Sequence, residues 1–322
     1  MLISINNFNQ SPIFFILFFP LFILILIFII YKNSNKFFLK NKIQALPIIE
    51  KEKTRLNPFT NFKHKTNKAY FNFIYPKASL NLELVLNKHS KYYKSLPFHE
   101  KRLFAYRIHK FIKNRNFITK DNLELTEEMK IITAEAAIKI SFYLDVYQFD
   151  VFETIMFYKE IFYSPFSKGN RKGETNAAGI IVFSWKDIEE GIKKDSDNLN
   201  LVLHEFAHAL FVSYNPEEDT DFDRSGTTSY YLSYVNLRKY FSISENINYI
   251  KEIEYFRNYA FVNFMEFFAV CTEHFFETPK LFKQNLPILY NLMCYMLNQD
   301  PDYIYSQLDK NYYKYASSYR KF

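Results

Sequence analysis

His204-Glu205-Phe206-Ala207-His208 sets two imidazoles four residues apart, with a carboxylate directly after the first. On a helix, positions i and i+4 share a face, so both rings can reach one ion. Glu205, one residue along, is placed to act as base toward an attacking water. Leu201, Val202, Leu203, Ala209 and Leu210 flank the motif and predict a buried helix that would hold it rigid. Two imidazoles and a carboxylate inside such a helix need partners, because unpaired buried polar groups are costly. The competing reading is a pair of hydrogen-bonded histidines without metal. With seven His in 322 residues, chance supplies this motif in roughly one such chain in a hundred, which favours the metal.

A catalytic zinc usually takes three protein ligands and keeps one position open. The extended pattern with a third His six residues further on is absent, since Phe211 and Tyr214 stand where its Gly and His belong. The third ligand is therefore expected downstream, where a helix predicted over 257–276 offers Glu266, Glu273 and His274. Glu266 lies in the apolar run FMEFFAV, where a carboxylate is expensive unless a metal or partner holds it. Glu273 and His274, nearer the polar end, read as helix-surface residues, with Glu273 about 10 Å beyond Glu266 on one stripe. Tyr259 precedes Glu266 by seven residues, two helical turns on that stripe, and a phenol there could donate to a developing oxyanion. With 26 tyrosines in the chain, spacing alone favours core packing for Tyr259.

The elements that must carry these groups are mostly helical. Leu103, Tyr106, Ile108 and Phe111 form one amphipathic stripe, and Thr126 caps a second helix running to about Tyr143. Val151 to Phe162 reads as strand, Ser164 to Ala178 as a polar loop, and Gly179 to Phe183 as a short apolar strand. Ser184 with Asp187 resembles a capping box for a short helix that stops near Gly191. Asp197 or Asn198 then caps the motif helix, with Pro216 beyond its end. Helices over 228–241 and 257–276 follow, and Thr278-Pro279 opens a last pair ending near Asp300-Pro301. The expected class is α+β, mainly helical with a small sheet.

Pro12 to Tyr31 is a run of twenty residues without a charge, long enough to span a bilayer as one helix, and Pro20 is tolerable there. No basic segment precedes it and no small-residue cleavage site follows, so an uncleaved anchor is expected rather than a signal peptide. Lys32, Lys36, Lys40 and Lys42 follow the run while Met1 to Ser11 has no Lys or Arg, which predicts a cytoplasmic main domain. The organisation predicted is a tail at 1–11, a transmembrane helix at 12–31 and a basic tether at 32–80. A main domain at 81–305 and a tail at 306–322 complete it. The net charge of +7 is concentrated: residues 32–68 hold ten Lys or Arg against two Glu, and residues 70–322 hold 31 basic and 32 acidic residues. A nucleic-acid-binding domain is thereby disfavoured, while the tether is suited to anionic lipid. Cys271 and Cys294 form no metal or disulfide spacing and read as buried free thiols.

At these residues the chain resembles the MtfA-type zinc-dependent peptidases and, more distantly, the catalytic domain of anthrax lethal factor. The matching segments are SLPFHEKRLF, LELTEEMKIITAEAAI, GIIVFSWKDIEEG, NLNLVLHEFAHAL, YAFVNFMEFFAVCTEHFFETP and LYNLMCYMLNQDP, from about Leu86 to Pro301. The resemblance implies a zincin-like fold with His204, His208 and Glu266 as zinc ligands, Glu205 as base and Tyr259 as catalytic tyrosine. Two positions depart from it: Phe211 replaces an Asp, and Phe264-Met265 replaces a Pro-Ala-like pair. The first puts the outer support of the metal in question.

The expected function is zinc-assisted hydrolysis of a peptide or protein substrate, with the strand Gly179 to Phe183 offering its edge to an extended chain by analogy with zincins. Two alternatives stand beside it. One is a non-catalytic, membrane-anchored regulatory or interaction protein retaining a structural zinc site. The other is a membrane scaffold that binds a partner through its aromatic surface.

Overall fold

The structure is a computed structural model, and it describes residues 78–308 apart from 145–146, 177 and 214–226. The predicted transmembrane helix, nearly all of the tether, Tyr214 and Pro216, and the C-terminal tail beyond residue 308 lie outside the described residues. Among the described residues no helix is long and apolar enough to cross a membrane.

The chain opens with α1 (Leu80–His89), α2 (Lys91–Ser95) and α3 (Phe98–Lys113), then β1 (Asn116–Thr119) and α4 (Glu127–Ser141). Next come β2 (Thr154–Tyr158), β3 (Phe162–Ser164), β4 (Gly169–Arg171), β5 (Gly173–Asn176) and β6 (Ile180–Ser184). Helices α5 (Trp185–Lys193), α6 (Leu201–Ser213), α7 (Thr227–Ser242) and α8 (Ser244–Glu252) follow. A 3-10 turn at Asn258–Phe261 precedes α9 (Phe264–Glu277), α10 (Pro279–Asn285) and α11 (Pro287–Leu297). The arrangement is the mainly helical α+β class expected, with a four-stranded sheet ordered β1-β2-β6-β5 and a separate β3–β4 hairpin.

In the main sheet β1, β2 and β6 run parallel, and β5 returns antiparallel to β6. The turn into β6 requires Gly179: its φ is +73°, and a Cβ there would lie 2.6 Å from the Val151 carbonyl oxygen. Strand β6 is apolar because it is central, and Ile181, Val182 and Phe183 are buried. Its edges are taken by β2 and β5, so it cannot offer an edge to a substrate. The edge strands are β1 and β5, and β5 lies inside the segment Ser164 to Ala178 predicted to be loop. Gly-Glu-Thr-Asn has little strand propensity, and pairing with β6 rather than composition makes it a strand. Strand β1 and helix α8 also go beyond the predicted elements. The segment Val151 to Phe162 divides, leaving β2 and the first residue of β3.

Caps explain most helix starts. Thr126 accepts from the Met129 N–H at 3.2 Å and Ser184 from the Asp187 N–H at 3.4 Å, as expected. The motif helix is capped elsewhere than predicted: the Asn200 side chain accepts from the Leu203 N–H at 3.0 Å, while Asn198 sits in the left-handed region at φ 59°. The predicted helix over 257–276 is interrupted, because Asn263 caps a new helix through the Glu266 N–H at 2.9 Å.

The core surrounds α6. Phe206 is fully buried, with ring centroids of Phe149, Phe111 and Phe183 at 5.4, 5.9 and 6.1 Å. It thereby joins α3, β6 and the segment before β2, and burying a ring of this size stabilises by about 1.5–3 kcal/mol. The apolar run of α9 packs on α6 with Phe267, Phe268, Val270 and Phe275 all buried. Cys271 and Cys294 are buried free thiols.

Candidate metal centre

Helix α6 presents His204 and His208 on one side, as i and i+4 dictate, and the first turn of α9 brings Glu266 to them. His204 Nε2 lies 3.0 Å from Glu266 Oε2 and 3.2 Å from His208 Nε2, and His208 Nε2 lies 3.4 Å from Glu266 Oε2. Tetrahedral bonds of 2.0–2.1 Å put neighbouring donor atoms roughly 3.3 Å apart, so the three atoms are spaced as ligands of one small cation. The proton inventory agrees. His204 Nδ1–H donates to Glu273 Oε1 at 2.7 Å, so a neutral ring aims its Nε2 lone pair at the Glu266 carboxylate. Lone pair against carboxylate is repulsive unless a cation stands between them. Burial pulls the His204 pKa down, yet hydrogen bonds to Glu266 and Glu273 outweigh it and push it up to about 10. Burial likewise opposes ionisation of Glu266, but the two imidazoles hold it well below the usual carboxylate range. Among the described residues His204, His208 and Glu266 form a group that could hold a metal ion.

Glu273 and His274 are not the surface residues that their position predicts. Both are buried. The helix axis of α9 crosses α6 so that Glu273, two turns beyond Glu266, meets the outer nitrogen of His204 instead of lying remote from it. All of its acceptor sites are occupied: Arg257 donates to Oε1 at 2.6 Å and to Oε2 at 3.1 Å, and the Asn200 N–H donates to Oε2 at 3.0 Å. Arg257 also donates to the Asn198 carbonyl at 2.8 Å. Glu273 thus fixes the tautomer and orientation of His204 and ties down the start of α6. One turn further, Glu277 accepts from the Asn198 N–H and from the Asn200 side chain at 2.8 and 2.9 Å. His274 points away, into the rings of Tyr255, Phe256 and Phe282. Burial, with Arg257 nearby, pushes it down to about 3, so it is a neutral core residue.

The outer support is unequal. His208 Nδ1 is buried without a hydrogen-bond partner among the described residues. Phe211, on the next turn, faces Phe264 at 5.9 Å and Tyr234 at 5.7 Å. The two positions that depart from the expected pattern, Phe211 and Phe264, therefore touch each other and form one apolar contact.

Glu205 is 5% exposed and is shaped by the strand that sequence reasoning read as loop. Thr175 Oγ1 lies 2.9 Å from Glu205 Oε2 and 3.0 Å from the Glu205 carbonyl oxygen. A Cβ on Gly173 would stand 2.6 Å from Glu205 Oε1 and 2.7 Å from Leu201 Cδ1, so only glycine lets β5 lie this close. Gly173→Ala should displace the carboxylate and, if Glu205 is the base that the resemblance implies, lower turnover by up to about 100-fold, the loss an ångström of misplacement can cause. Metal content should stay near wild type; unchanged turnover would show that Glu205 adapts freely. Burial raises the Glu205 pKa, against the two histidines and Thr175.

Tyr259 reaches the centre by a route other than the predicted stripe. It lies in the 3-10 turn before α9, with its ring centroid 6.0 Å from that of His204. Burial, with the Glu266 carboxylate beside it, pushes the phenol up to about 12, so it remains a donor at neutral pH. His204, Glu205, Tyr259, Arg257 and Arg171 line a cleft of about 380 Å³ that Gly173 at the start of β5 also borders.

Fold and site together define an HExxH protein of the metallopeptidase type, and the chain belongs to the family described as glucose-regulated metallo-peptidase M90, whose model matches residues 74–297. Among curated relatives it is similar to Mlc titration factor A of Escherichia coli (strain 55989 / EAEC), 30% identical over 143 residues, covering 41% of this chain and 49% of that protein. The same figures hold for Mlc titration factor A of Shigella flexneri. The chain spans about half the length of the curated relatives it matches.

Proposed function

We propose that this chain is a zinc-dependent metallopeptidase, with His204, His208 and Glu266 as ligands, Glu205 as general base and Tyr259 as oxyanion donor. The observation that carries the reading is the convergence of three donor atoms within 3.0–3.4 Å of one another. Two imidazoles and one carboxylate with room beside them are the donor set of a catalytic zinc. When bound, zinc supplies a Lewis acid that brings the pKa of water toward about 7 and polarises a carbonyl. Glu205 takes a proton from the attacking water and passes it to the leaving amine. Its burial favours this role, because a raised carboxyl pKa makes the proton easier to hold between the two steps. The Tyr259 phenol donates to the oxyanion of the tetrahedral intermediate. The free edge of β5 is suited to main-chain pairing with an extended peptide.

A structural zinc site in a non-catalytic regulatory protein is the weaker reading, since such a site has no use for a buried carboxylate held by Thr175 and accommodated by Gly173. The test is a peptidase assay on the purified full chain. Activity should accompany about one zinc per chain, disappear with a chelator and return with zinc. A zinc-loaded chain that cleaves no peptide in a broad library would support the structural site instead. Tyr259→Phe should lower turnover about 10²–10³-fold with little change in KM. An unchanged turnover would return Tyr259 to packing.

We also propose, on the sequence alone, that the domain sits on the cytoplasmic face of a membrane, anchored through residues 12–31. The four lysines that follow Tyr31 support this orientation. A cysteine introduced by Ser34→Cys should resist membrane-impermeant thiol reagents in intact cells, and ready labelling would place the domain outside.

A further inference from the structure

We propose that the tip of the β3–β4 hairpin docks on an anionic lipid bilayer, giving the domain a second membrane contact beyond the anchor sequence. The hairpin stands apart from the main sheet, and with the residue before it carries three large apolar side chains into solvent. Ile161, Tyr163 and Phe166 are 54%, 63% and 67% exposed. Three large apolar side chains exposed within six residues, Ile161 just before β3 and the other two in the hairpin, point to an interaction surface.

Its shape is set in advance. Phe162 stacks on Tyr158 at 4.8 Å, and Ser164 accepts from the Ser167 N–H at 3.2 Å. Arg171 Nε donates to Ser167 Oγ at 2.8 Å, and that hydroxyl donates to Glu174 at 3.0 Å. Phe162 and Ser164 point inward, and Tyr163 between them points out.

Charge selects the occupant. Residues 159–174 contain Lys159, Lys168, Arg171 and Lys172 against Glu160 and Glu174, a net of +2, while residues 70–322 as a whole hold 31 basic and 32 acidic residues. Lys172 is paired with Asp187 and Lys186 with Glu160. Lys159, Lys168 and Arg171 have no carboxylate within salt-bridge distance among the described residues. Exposed Phe, Tyr and Ile ringed by lysines suit the headgroup region, where aromatic bodies dip below the surface and ammonium groups stay with anionic phosphates. The apolar sequence 12–31, followed by residues 32–68 with a net charge of +8, would keep a bilayer within reach. Because Arg171 also lines the cleft, docking through this hairpin brings the cleft mouth toward lipid and favours substrates at the membrane surface.

The test uses the full chain carrying Phe166→Trp, compared with wild type, whose one tryptophan is Trp185. The chain is reconstituted with vesicles of brominated phosphatidylglycerol or brominated phosphatidylcholine, and flotation reports the anchor separately. In phosphatidylglycerol the added emission should shift to the blue and lose about half its intensity. Lys159→Glu with Lys168→Glu should restore most of it while the protein still floats. These substitutions change exposed side chains, so circular dichroism should match wild type. Emission unaffected by brominated lipid overturns the proposal, as does a chain that fails to float. Equal quenching in both lipids overturns the anionic assignment. A shift that follows added peptide, or protein concentration, instead of lipid would assign the tip to substrate or to a second copy and overturn it as well.

Discussion

Glu266→Ala should abolish stoichiometric zinc binding at concentrations where the wild-type chain is saturated. In the proposed zinc centre this carboxylate would contribute one of three donor atoms and a negative charge to balance a dication. Its removal leaves two imidazoles of unequal support, since His208 Nδ1 has no partner among the described residues. Glu273→Ala removes an outer partner, and such losses usually weaken metal affinity about 10–100-fold. It should also cost stability, because Arg257 and the Asn200 N–H lose their acceptor in a buried site. The two variants therefore separate by the size of the effect in one zinc titration. Normal binding by Glu266→Ala would remove it from the ligand set. A Glu273→Ala chain that loses zinc altogether while Glu266→Ala keeps it would make Glu273 the ligand.

How much of this was legible in the amino-acid sequence depended on whether the chemistry was local. His204, Glu205 and His208 lie within one turn of one helix, so their spacing alone predicts a shared face. Glu266 was accessible through desolvation, because a carboxylate among four apolar neighbours needs a partner. The same reasoning applied to Glu273 would have found it, since Val270, Cys271, Phe275 and Phe276 surround it in sequence. It was read as surface because proximity to the helix end was weighed above those neighbours. Arg257 carried no such signal, since it precedes the 3-10 turn and only the fold of that segment beside α9 brings it to Glu273. Gly173 and Thr175 were missed for a different reason. Their strand exists through pairing with β6, and a tetrapeptide of Gly, Glu, Thr and Asn gives no periodic pattern to read. Tyr259 lies near His204 by a geometry other than the one its spacing implies: Asn263 restarts the helix, so two turns of one stripe never form.

Glu205→Gln should separate chemistry from metal binding. Glu205 accepts a hydrogen bond from Thr175 and faces β5, and it is not among the three converging donors. Gln preserves the shape of the side chain but cannot take a proton from water. General-base catalysis contributes about 10²–10⁴-fold, so turnover should fall by at least that range while zinc content stays near one per chain. The most direct measurement is mass-spectrometric counting of new peptide N-termini, with zinc quantified in the same samples. Wild-type and Glu205→Gln chains, both zinc-loaded, would be incubated with one peptide library. Abundant new termini with wild type, and almost none with the variant at equal zinc, is the predicted result. Equal cleavage by both chains, or none by either, would contradict the assignment of this centre as a peptidase with Glu205 as its base.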